Sequence, residues 1–174
     1  MQMNKIRTHV RGRLLTATAL AMGMATIVHA EDSLDFEVQG AVTPSCGLAL
    51  SRVRIDLDTV AASELGAVGD GSRWREASFT GVDCIGATKA SVTMRAAAHP
   101  ADPRYIAPVG GAEGVAIEMR TADGQPLPPD GSSPVEFSWM GGIPALAFQA
   151  RYIRVGPLKA GDAVATALVQ IQWE

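Results

Sequence analysis

The chain has 174 residues, 47% of them apolar and 19% charged, which is one domain's worth and enough for a real core. Fifteen Lys and Arg stand against eighteen Asp and Glu, and four of those bases but none of the acids fall in residues 1–30, so residues 31–174 carry eleven against eighteen, a net charge of −7. That balance argues against nucleic acid and anionic lipid as partners.

Residues 1–30 read as a secretory signal peptide. Lys5, Arg7, Arg11 and Arg13 form a basic start, Leu14 to Val28 is an apolar run, and Val28 and Ala30 occupy the −3 and −1 positions of a small-residue cleavage site before Glu31. The run is too short and poorly flanked for a retained membrane span. Export in turn puts the two cysteines, Cys46 and Cys84, in an oxidising compartment, where two thiols most simply make one disulfide.

Residues 31–45 begin with an alternating run. Leu34, Phe36, Val38, Gly40 and Val42 fall on one side, Asp35, Glu37, Gln39 and Ala41 on the other, and Pro44 and Cys46 close the run. This is the cleanest strand pattern in the chain, yet it sits at the start of the exported part, where disorder is the usual expectation. Val53, Ile55 and Leu57, alternating with Arg54, Asp56 and Asp58, predict a half-buried strand. Thr59 to Gly71 reads as a loop with a helical turn near Ala61 to Leu65.

Further strands are expected over Trp74 to Val82 and over Lys89 to Ala97, the latter ended by the His99-Pro100 and Asp102-Pro103 breakers. Gly114 to Thr121 leads into Asp123-Gly124, a pair that favours a tight hairpin. Leu127 to Pro134 reads as a loop, followed by strands at Val135 to Trp139 and Leu146 to Val155 and a turn at Gly156-Pro157. The last stretch, GDAVATALVQIQWE, alternates again from Ala163. Ala163, Ala165, Ala167, Val169, Ile171 and Trp173 share one face, with Gly161 breaking the chain ahead of them. No residue follows Glu174 to form a hairpin partner, so a row of this strand's backbone groups is expected to go unpaired if it lies at a sheet edge.

Short strands with turn signals between them, and no long amphipathic helix, predict an all-β sandwich over residues 46–174. Chemistry finds little support. His99 is the only histidine after residue 30 and lies in a Pro-rich loop, Asp56 and Asp58 read as a solvent-facing row, and Asp123-Gly124 is only a fragment of a calcium loop. Neither an enzyme nor a cofactor or metal is expected.

Taken together, LDFEVQGAV, the two cysteines, RIDLDTV, the approach from Trp74 to Cys84, GVAIEMRTADGQPL, LAFQARYIRV and GDAVATALVQIQWE resemble the fimbrial (pilin) subunits of the bacterial chaperone–usher pathway, notably small subunits of type 1-like pili. That family carries a glycine fourteen residues from the end and a penultimate aromatic, here Gly161 and Trp173, although tyrosine is usual where Trp173 stands. The resemblance implies an immunoglobulin-like sandwich lacking its final strand. Its open groove would run beside the strand of Gly161, Ala165, Ala167, Val169, Ile171 and Trp173. It implies that Leu34, Phe36, Val38, Gly40 and Val42, within an extension over residues 31–45, are a donor strand for a neighbour's groove. The implied partners are a periplasmic chaperone, an outer-membrane usher and neighbouring pilins in a head-to-tail polymer, with a host-surface receptor entering only at the level of the pilus. The role implied is a minor or adaptor subunit or a rod pilin, displayed at the cell surface. The competing reading is a secreted monomeric adhesive or ligand-binding sandwich, using loops at His99 to Pro108 and Leu127 to Gly142 with Trp139 as an anchor.

Overall fold

The computed structural model describes residues 34–174, and the expected leader over residues 1–30 lies outside them. Contacts divide the chain ahead of Gly40, and every strand of the described residues belongs to the unit that runs from Gly40 to Glu174. The strands are β1 (Ser45–Leu48), β2 (Arg75–Ile85), β3 (Lys89–Arg95), β4 (Ala98–His99), β5 (Asp102–Ile106), β6 (Glu113–Thr121), β7 (Val135–Ser138), β8 (Ala145–Lys159) and β9 (Leu168–Trp173). They form a six-stranded sheet ordered β1-β2-β8-β6-β5-β4 and a three-stranded sheet ordered β7-β3-β9.

One core lies between the sheets because the period-two pattern delivers apolar side chains to it from both. Ala90, Val92 and Met94 of β3 and Val135 of β7 come from the small sheet. Leu146, Phe148 and Ala150 of β8, Ile117 of β6 and Ile106 of β5 come from the large one. Phe148 is in aromatic contact with both Phe79 and Phe137, each 5.5 Å away between ring centroids. The outer face of the large sheet is polar: Arg120 and Arg151 lie over the ring of Trp74, and Arg151 donates to Glu118 at 2.7 Å.

Cys46 and Cys84 form a disulfide between β1 and β2, with Cα atoms 4.1 Å apart. It sits at a bulge. Ser45 pairs with Ile85 but Gly47 pairs with Val82, so β2 carries one extra residue, and Asp83 takes up the left-handed conformation there at φ 51°.

The strand expected over Val53 to Asp58 is corrected: that stretch has no ladder partner among the described residues, although Ile55 and Leu57 pack against the core. Leu34 to Val42 likewise carries no ladder among the described residues. β3 ends at Arg95, ahead of the His99-Pro100 and Asp102-Pro103 breakers as expected, and these pairs then shape a short hairpin of β4 and β5 at the margin of the six-stranded sheet. The chain does not turn at Gly156-Pro157. Instead β8 continues to Lys159 by bulging: Glu113 pairs with Lys159 and Val115 with Arg154, and the extra residues of β8 hold the glycine and proline. Gly114, at φ 75°, makes room there, since a side chain on it would overlap the Pro157 carbonyl. The last strand ladders only from Leu168, its earlier part holding one isolated bridge between Val164 and Val109. The helical turn expected near Ala61 is a short 3-10 helix at Ala62–Glu64.

The disulfide closes a separation of 38 residues, worth about 4 kcal/mol in the chain-entropy account. Replacing both cysteines by serine should lower the urea midpoint of the folded domain by an amount equivalent to about 2–4 kcal/mol. An unchanged midpoint would show that the bulge at Asp83 holds β1 without help.

Candidate functional site

The alternation read from the last fourteen residues is present residue for residue. Ala163, Ala165, Ala167, Val169, Ile171 and Trp173 face inward and the residues between them outward. Five of the six, from Ala165 to Trp173, pack on the core, but every one stays half exposed. The neighbouring strand differs. Ala90, Val92 and Met94 of β3 are 0%, 0% and 1% exposed on the same face. β3 has a strand on each side, whereas β9 has one on a single side. The half-exposed inward side chains of β9 thus line an edge that has no strand beside it among the described residues.

Backbone polarity tells the same story. Glu174 and Lys89 exchange both hydrogen bonds, at 2.9 Å each. In an antiparallel ladder such pairs recur every second residue, so Gln172, Gln170 and Leu168 also bond to β3, opposite Ser91, Thr93 and Arg95. The N–H and C=O groups of Trp173, Ile171 and Val169 consequently point the other way, to a side with no strand among the described residues. Unpaired backbone and half-covered apolar side chains coincide on one edge.

The two ends of this edge are built differently. At one end Trp173 and Trp139 meet edge to face, with centroids 6.1 Å apart, and Trp173 reaches toward Gly81. At the other, Gly161 crosses the backbone of Gly111 and Ala112 so closely that a Cβ on it would come within 2.3 Å of the Gly111 carbonyl carbon. Gly161 therefore lies ahead of β9 and permits a chain crossing; it is not itself on the ladder. The Tyr152 hydroxyl donates to the Ala163 carbonyl at 2.9 Å. Burial, and then the nearby charges of Asp56 and Asp162, raise the phenol above its ordinary pKa, which keeps it a neutral donor.

Residues 33–174 match the family model described as "Fimbrial protein". The chain is 33% identical over 170 residues to Protein LpfE of Salmonella typhimurium, an alignment that covers 92% of this chain and 93% of the relative. The chain belongs to the fimbrial protein family. A second relative, the probable fimbrial subunit LpfE of Escherichia coli O157:H7, is 28% identical over 158 residues and 89% of each chain. Among solved structures, the P pilus rod subunit PapA has the same fold, with a TM-score of 0.63 at 19% identity over 74% of this chain and 99% of that one. The CupB6 tip adhesin of Pseudomonas aeruginosa matches with a TM-score of 0.63 at 29% identity over 72% of this chain, which spans 37% of the adhesin's length.

In this fimbrial protein the residues ahead of β1 hold apolar side chains in the open. Leu34, Phe36, Val38 and Val42 are exposed, Phe36 at 83% and Val42 at 99%, and a side chain on Gly40 would meet nothing within 4 Å. The other three phenylalanines, Phe79, Phe137 and Phe148, belong to the core or pack on it. No group of three or more His, Cys, Asp or Glu among the described residues could hold a metal ion. His99 Nδ1 accepts from the Ala101 amide at 3.2 Å in the β4–β5 hairpin, and Asp58 pairs with Arg75. Sequence reasoning did not single out Tyr152; its place inside LAFQARYIRV shows a half-buried strand residue but not the carbonyl it reaches.

The two glycines should behave oppositely. Gly161→Val should destabilise the folded domain by about 1–3 kcal/mol through overlap with the Gly111–Ala112 backbone, while Gly40→Val leaves its urea midpoint in place. Equal effects would show that the crossing at Gly161 tolerates a side chain.

Proposed function

We propose that this fimbrial protein is a non-enzymatic structural subunit of a chaperone–usher pilus, assembled by donor-strand exchange. The free edge of β9 accepts a strand from outside, and residues 34–42 supply one to a neighbour. The observation that carries the reading is the contrast across the small sheet: inward side chains of β9 stay half exposed while those of β3 are sealed. Donor-strand complementation of pilins is itself a known instance of strand addition to a sheet edge, in which backbone bonds give affinity and alternate side chains give specificity.

In this mechanism a periplasmic chaperone lends the first strand and holds the subunit soluble. At the outer-membrane usher, the arm of the next subunit replaces it. Leu34, Phe36, Val38 and Val42 of the arm enter a neighbour, with Gly40 where the receiving surface leaves no room. Burying those four side chains contributes roughly 6–12 kcal/mol gross, beside the ladder of backbone bonds, and ordering the arm takes back part of it. Donor and acceptor surfaces differ, so the contact is heterologous and builds an open filament at the cell surface. Support comes from the family match, from a relative named as a probable fimbrial subunit, and from the likeness to a chaperone–usher pilus structure, with a TM-score of 0.65 over 86% of this chain.

Substitutions on the two surfaces should separate the roles. Ile171→Asp puts a charge among the inward side chains of β9 and should abolish the stable chaperone complex. Phe36→Asp should leave chaperone binding at the wild-type level and block polymer formation, scored by co-purification and by ladders of subunit multimers. If Phe36→Asp polymerises normally, or loses its chaperone, the arm is not a donor strand.

A further inference from the structure

The arm is tied to the body by a short link. Thr43 and Pro44 alone separate Val42 from Ser45, the first residue of β1. Fully extended, that link covers at most about 11 Å, and the proline stiffens it. A neighbour that holds the arm as far as Val42 must therefore lie against the end of the body from which the arm departs.

That end carries apolar side chains in the open. Ser45 pairs with Ile85 and Leu48 with Gly81, and the Gly81 amide donates to the Pro144 carbonyl at 2.9 Å. These pairings gather Leu48, Val82, Ile85 and Ile143 around the root of the arm. All four are exposed, Ile85 at 72% and Ile143 at 74%, and none belongs to the core between the sheets. Clustered apolar surface of this kind marks a contact site.

A second exposed apolar set lies at the other end of the last segment. Val109 and Val164 form an isolated bridge, exchanging backbone hydrogen bonds of 2.7 and 2.9 Å, and both are exposed, as is Leu168 at the start of β9. The end of β9 lies by the root of the arm instead: a Cβ on Gly81 would stand 3.4 Å from the Trp173 ring and 3.1 Å from Cys84 Sγ, which is bonded to Cys46 of β1. An arm added antiparallel to β9 brings its Val42 end to the start of β9, and the short link then sets the donor's Ile85 end over Val109, Val164 and Leu168. A parallel arm would bring that end to Trp173, where the acceptor's own arm departs.

We propose that the surface of Leu48, Val82, Ile85 and Ile143 docks on Val109, Val164 and Leu168 of the second copy that holds its arm, so that consecutive bodies touch and keep a fixed angle. The inference rests on the donor-strand reading above and adds to it a contact between bodies. Asp83 and Asp162, both exposed, place an acid beside each surface, which disfavours the contact between free copies. The link supplies what they lack, holding the surfaces together at an effective concentration on the order of millimolar.

Polymer assembled from the full exported chain, diluted into a fixed urea concentration and followed for the rate at which it sheds subunits, tests this. Ile85→Asp lies off β9 and should leave chaperone binding and assembly unchanged, while subunits are shed at least about tenfold faster. Adding Val164→Lys should bring the rate back to within about threefold of wild type, as expected for two residues in contact. Ile143→Asp, placed by β8 rather than β2, should repeat the loss and serves if Ile85→Asp does not fold. Wild-type shedding from both aspartate variants, or a loss that Val164→Lys does not repair, overturns the contact while leaving strand donation intact. A wild-type chain that forms no polymer removes the donor-strand reading, and this inference with it.

Discussion

A β-strand with a neighbour on only one side leaves both its backbone and its inward side chains unfinished, and the rest of this fold is arranged around that condition. β9 takes its hydrogen bonds from β3 and sends Val169, Ile171 and Trp173 toward a core they only half enter. Natural sheets usually blunt such edges with charge, proline or a bulge. β9 has none of these along Leu168–Trp173, where every residue is apolar or an uncharged glutamine. The edge is left able to pair, and on the proposed function the property that would make it an aggregation liability is the one that makes it an assembly site.

The surroundings support the edge without closing it. The disulfide ties β1 to β2, and Phe148 links the sheets through Phe79 and Phe137, so the body has a core independent of the missing neighbour. Trp139 and Trp173 meet at one end of β9, and ahead of the other end Gly161 crosses the Gly111–Ala112 backbone and the Tyr152 hydroxyl holds the Ala163 carbonyl. Residues 34–42 carry a row of exposed apolar side chains, Leu34, Phe36, Val38 and Val42. On the proposed function, this surplus and the deficit of cover along β9 meet between copies and build a polymer.

Much of this was legible before any coordinates. Alternation located β3, β6, β7 and the inward face of the last segment, since a period of two is a direct imprint of a pleated, one-sided strand. The disulfide followed from two cysteines in a chain read as exported. What failed was decided by tertiary pairing. Val53, Ile55 and Leu57 alternate like a strand but lack a ladder, because periodicity reports which side is apolar and not whether a neighbour is present. Gly156-Pro157 resembles a turn, yet β8 absorbs it as a bulge that only the close approach of Gly114 makes feasible. Gly161 was grouped with the last strand, whereas its reason for being glycine is the backbone of Gly111 and Ala112. Tyr152 left no signal, because a hydroxyl reaching a carbonyl eleven residues on depends on how two sheets stack.

The central claim is that the domain lacks one strand and that this strand has the sequence of the arm. Its most direct test is thermal unfolding of a chain from which residues 34–42 are removed and to whose end, after Glu174, the same nine residues are attached through a short flexible turn. The account predicts a monomer that folds without a chaperone and unfolds far above the chain lacking the arm altogether, a gain lost when the attached segment carries the Phe36→Asp change. Equal unfolding temperatures for the chains with and without the attached strand would contradict it.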